Sequence, residues 1–65
     1  MTPADIRAFR TRWGLSQRAL AALLGVKNYR TVQKWEAGEN DTPGPAILAM
    51  RLIDERGALP APVER

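Results

Sequence analysis

Sixty-five residues are enough for a single domain, and with neither Cys nor His among them the chain has no disulfide staple and little to offer a zinc ion or a haem. The net charge of +3 is modest but segregated: residues 6–35 hold seven basic side chains (Arg7, Arg10, Arg12, Arg18, Lys27, Arg30, Lys34) and no acidic one, whereas residues 36–65 hold six acidic against three basic. That asymmetry makes one positive face, the footprint of a polyanion binder rather than of an evenly solvated surface, and the absence of any apolar run of about 18 residues or of an N-terminal signal stretch reads as a soluble, cytoplasmic protein.

In chain order, Thr2 is the candidate N-cap of a first helix. Pro3 suits the first helical position, and Asp5 completes a variant capping box. Ile6, Phe9 and Trp13 recur at helical spacing, and Gly14 closes the run, so the helix spans about Pro3 to Trp13. After Leu15, Ser16 caps a second helix from Gln17 to Leu24, with Leu20, Leu23 and Leu24 on its apolar face and Gly25 as its stop. Asn28 is the N-cap of a third helix, Tyr29 to Ala37, with Val32 and Trp35 inward and Gly38 at its end. Residues 39–45 are rich in turn formers. A fourth helix begins near Pro43 or Pro45, runs through Ile47, Leu48, Met50, Leu52 and Ile53, and stops at Gly57. Residues 58–65 carry two prolines and no periodicity, and read as a short irregular tail behind a domain of residues 1–57. No segment has the period-two pattern of a strand, so the expected class is all-α, four helices with room for a fifth.

The order of residue types across the middle of the chain narrows this further. Ala21 is small at mid-helix and permits close approach of the next helix. Gly25 can take the positive φ of a tight turn, Val26 is apolar within it, and Val32 and Trp35 anchor the third helix to the core. This is the pattern of a DNA-binding helix-turn-helix, whose second helix enters the major groove.

The stretch GLSQRALAALLGV…RTVQKWEAGE resembles the helix-turn-helix of Cro and lambda-repressor-like regulators. A Leu-Ser-Gln start, a Leu-Gly-Val turn and a Thr-Val-x-x-Trp-Glu-x-Gly ending recur in that family. The resemblance covers about Ile6 to Leu52. It implies a compact lambda-repressor-like domain that binds double-stranded DNA and regulates transcription. A stand-alone repressor fits best, since no effector or activation domain follows the motif. It is similar to minimal phage-type regulators, among them repressors associated with anti-CRISPR operons, some of which share a lengthened turn. Two departures stand out. Five residues, Val26 to Arg30, separate Gly25 from Thr31, one more than relatives usually carry, and this sets which side chains lead into the groove. The loop after the third helix, often basic in relatives, holds Glu39 and Asp41.

On a wheel of about 100° per residue, Val32 and Trp35 define the buried direction of the third helix. Arg30, Gln33 and Lys34 lie opposite, with Tyr29 at the boundary. Arg bridges guanine O6 and N7, Gln bridges adenine N6 and N7, and an aromatic ring can meet a thymine methyl or pack locally. Tyr29, Arg30, Gln33 and Lys34 are therefore the candidate base contacts. Ser16, Gln17, Arg18, Lys27, Asn28 and Thr31 are the candidate phosphate contacts; for Gln17 the resemblance itself implies that role. It also implies a structural ion pair between Arg10 and Glu36, which would fix the orientation of the third helix. Trp13 and Trp35 fall on apolar stripes and read as core.

Only Arg51 is charged between Ala46 and Ile53. Part of that helix should close the core, and the remainder, with Met50, Ile53, Leu59 and Val63, is expected to form a homodimer surface. A core this small rarely supplies more than about 3–5 kcal/mol on its own, which also favours a second subunit. Two-fold symmetry would set two recognition helices about 34 Å apart on a palindromic operator. With no His, no Cys, no phosphate loop and no paired carboxylates, an enzyme is the weakest reading, and no cofactor or metal is implied. An antitoxin or adaptor module acting through the fourth helix is the rival. RNA fits less well, because the A-form major groove excludes a helix.

Overall fold

A computed structural model describes residues 1–59 of the chain. Helix α1 is Pro3–Trp13, α2 Gln17–Leu24, α3 Tyr29–Ala37 and α4 Gly44–Arg56, and no strand occurs among the described residues. The local chemistry explains the boundaries. The Thr2 hydroxyl accepts from the Asp5 amide, which also reaches the Thr2 carbonyl at 3.0 Å, while the Asp5 carboxylate accepts from the Thr2 amide at 2.9 Å, so the two residues close a reciprocal cap on the start of α1. Ser16 accepts from the Ala19 amide at the start of α2, and Asn28 accepts from the Arg30 amide at the start of α3. Helix α4 has Pro43 at its N-cap and no side-chain cap bond. All four helices close on a left-handed glycine.

The first three helices begin and end where the sequence places them, and the fourth begins between its two candidate prolines. The all-α, four-helix architecture is as expected. Helix α3 packs against both α1 and α2. The core takes Ile6 and Phe9 from α1, Leu20 and Ala21 from α2, Val32 and Trp35 from α3, and Ala46, Met50 and Ile53 from α4. Each large apolar side chain buried there contributes about 1.5–3 kcal/mol.

Two expectations need correction. Met50 and Ile53 do not lie on the outside of α4: Met50 is fully buried and Ile53 nearly so. Ala46, Met50 and Ile53 succeed one another at i, i+4 and i+7, which makes them the inward stripe. The large apolar residues that α4 leaves to solvent are Leu48 and Leu52, 53% and 48% exposed. Leu59 is partly buried against this same core rather than turned away from it, and Val63 lies outside the described residues. Trp13 is only half-buried, and its indole N–H donates to Asp54 at 2.8 Å. Arg12 grips the same carboxylate with two N–H groups, at 3.2 and 2.7 Å, tying the end of α1 to α4. The Arg12 and Trp13 hydrogen bonds hold the Asp54 carboxyl below its ordinary value of 3.8. Arg12 is thus committed to a carboxylate and adds little to the positive face. No helix among the described residues is long and apolar enough to cross a membrane.

Candidate nucleic-acid interface

The outward face of α3 is set by what its inward face does. Val32 and Trp35 sit in the core, and Glu36 beside them is also buried. With that side fixed, Arg30, Gln33 and Lys34 are exposed, and Tyr29 and Thr31 are half-buried at the flanks.

A buried glutamate on a helix this short needs partners, and it has them. Arg10 donates to its two carboxylate oxygens at 2.6 and 2.9 Å, and a further Arg10 N–H reaches the Leu15 carbonyl at 3.2 Å. Gln17 donates to Glu36 at 3.4 Å, and the Arg7 guanidinium lies 3.6 Å away. The Glu36 side chain is 3% exposed and that of Arg10 is 20% exposed. Arg10 holds the Glu36 carboxyl below its ordinary 4.5 by hydrogen bonding, against a burial effect that pushes the other way. Arg10 and Glu36 are thus ion-paired, and with Gln17 they tie α3 to α1 and to the start of α2.

Between α2 and α3 the chain turns through Gly25, Val26, Lys27 and Asn28. Gly25 has φ +75°, and the Val26 amide donates to the Ala21 carbonyl at 2.8 Å. That bond turns Val26 inward against the core and leaves Lys27 exposed. Beside the turn lies an open groove of about 370 Å³ lined by Arg18, Ala21, Ala22, Val26, Lys27, Asn28 and Tyr29. Across it, the Arg18 guanidinium sits 4.2 Å above the centre of the Tyr29 ring.

Residues 6–50 match a family model described as helix-turn-helix. The chain belongs to the helix-turn-helix family. That family, of the Cro and C1 type, is one of DNA-binding regulators and is normally non-enzymatic. Neither the curated proteins nor the solved structures yield a match to this chain. Among the described residues, no group of three or more carboxylates, His or Cys is gathered to hold a metal ion.

In this helix-turn-helix protein the match runs from α1 into α4 and takes in the whole of α2 and α3. Arg30, Gln33 and Lys34 stand on one exposed face, as the wheel expects. Ser16, Arg18, Lys27 and Asn28 are also exposed, at the start of α2 and in the turn. Gln17 and Thr31 are half-buried, and Gln17 spends one amide N–H on Glu36. The Ser16 and Asn28 side-chain oxygens already serve as helix caps. Three features escape sequence reasoning: the Gln17 bond to Glu36, the Asp54 node, and the Arg18–Tyr29 stack. Each joins residues on different helices, where periodicity carries no signal.

Proposed function

We propose that this protein is a sequence-specific transcriptional repressor that reads the major groove of double-stranded DNA with α3. One observation carries the reading. The exposed face of α3 presents Arg30, Gln33 and Lys34 together, while the acidic residue of that helix, Glu36, is turned inward and neutralised by Arg10. The N-terminal part of a recognition helix enters deepest, so Arg30 is the first candidate for a guanine edge, followed by Gln33 and Lys34. Ser16, Gln17, Arg18, Lys27, Asn28 and Thr31 surround that face and hold the sugar–phosphate backbone. The protein acts in the cytoplasm, with residues 1–57 as the DNA-binding domain. It binds as a homodimer on a palindromic operator, with Leu48 and Leu52 of α4 as the apolar contact, and represses by occluding its site.

The test is Arg30→Ala measured on a panel of single-base operator variants. The cost should be about 1–3 kcal/mol on the preferred site, with discrimination relaxed at one base position of each half-site. A loss spread uniformly over the panel would remove Arg30 from base reading.

A further inference from the structure

We infer that Tyr29 is a positioning residue for Arg18: its ring carries the Arg18 guanidinium and fixes it for a DNA phosphate, so that the two act as one backbone contact across the turn. This rests on the DNA-binding reading and gives Tyr29 a task other than touching a base.

Arg18 is the second residue of α2 and is exposed; Tyr29 is the first residue of α3 and is half-buried against the core. The ring is therefore an anchored platform, and the guanidinium 4.2 Å above its centre is the exposed member resting on it. The geometry suits an anion. A guanidinium stacked by its flat face keeps its in-plane N–H edge for a phosphodiester, which it can bind through two parallel hydrogen bonds. Ordering the long side chain on the ring before DNA arrives also removes an entropy cost from binding. The surroundings agree. Ala21, Ala22 and Val26 leave the groove beside the stack open, Lys27 adds a second positive charge at its wall, and none of the lining residues is acidic.

The experiment compares Arg18→Ala, Tyr29→Leu, Tyr29→Phe and the Arg18→Ala/Tyr29→Leu double variant for duplex binding across a salt series. Each neutralised phosphate contributes about 0.9 to the slope of log K against log salt. Arg18→Ala should lower the slope by about that amount. Tyr29→Leu should lower it comparably although Arg18 is still present, the double variant no further, and Tyr29→Phe not at all. In the DNA-free protein, the Arg18 δ-methylene protons should resonate upfield under the ring current, and this shift should survive Tyr29→Phe. A full slope in Tyr29→Leu, or two separate losses in the double variant, overturns the inference and leaves DNA binding standing. Should Tyr29→Leu not fold, a missing upfield shift in the unaltered protein overturns it equally. Absence of duplex binding by the unaltered protein overturns the DNA reading, and this inference with it.

Discussion

Replacing Glu36 with Gln should be among the most damaging single changes that removes no bulk. The carboxylate takes two N–H groups from Arg10 at 2.6 and 2.9 Å and one from Gln17 at 3.4 Å, and its side chain is 3% exposed. Breaking a buried ion pair by removing one partner typically costs about 3–5 kcal/mol, because the other charge is left behind. Two facts reduce that here. Arg10 is 20% exposed and can regain water, and Gln retains one acceptor for it. The expected loss is about 2–3 kcal/mol by the same reasoning. In a domain of this size each kcal/mol moves Tm by about 4–8 °C, so Glu36→Gln should melt about 10–20 °C below the unaltered protein. Arg10→Met combined with Glu36→Leu removes both charges and should recover most of the loss. The pH dependence has a defined sign. Glu36 is held below its ordinary 4.5, so its contribution is fully present above that value and is lost as pH falls through the lowered one. The gap in Tm between the two proteins should therefore shrink in acid. Helical circular dichroism melts at pH 7 and in an acid series measure both effects. A Glu36→Gln protein melting within about 2 °C of the unaltered one, well under the shift expected of even 1 kcal/mol, would refute the view that this cluster orients α3.

Gly25→Ala should cost about 1–2 kcal/mol from the left-handed backbone alone, since a Cβ there meets nothing within 4 Å; an unchanged Tm would show that the turn relaxes freely. Association with duplex DNA should weaken steeply between 50 and 200 mM salt, because each phosphate neutralised in the complex releases counterions and contributes about 0.9 to the slope of log K against log salt, and a flat binding constant would exclude a backbone-anchored complex. Leu48→Glu with Leu52→Glu should leave the helical content intact but convert a two-subunit DNA complex to one subunit in sedimentation, whereas unchanged stoichiometry would clear α4 of a role in assembly.

Helix ends were legible because each depends on a few neighbouring residues. Thr2 with Asp5, Ser16 and Asn28 mark starts by their side-chain oxygens, and the glycines at 14, 25, 38 and 57 mark stops. The exposed face of α3 was legible because Val32 and Trp35 leave little choice about what points inward. Helix α4 was not, since Ile47, Leu48, Met50, Leu52 and Ile53 place apolar side chains around most of its circumference, and only packing selects Met50 and Ile53 for the core. The same limit hid the Asp54 node, where Arg12 and Trp13 meet a residue more than 40 positions away. Gln17 was readable as a phosphate ligand by position, but its bond to Glu36 depends on how α2 crosses α3.

The most direct test of α3 as a DNA reader is footprinting of the unaltered protein, beside an Arg30→Ala, Gln33→Ala variant, on duplex DNA from upstream of its own gene. The expected result is two protected half-sites about 34 Å apart, centre to centre, which the double variant no longer distinguishes from flanking sequence although its fold is intact. Equal protection by both proteins, or none by either at low salt, would contradict sequence reading by α3.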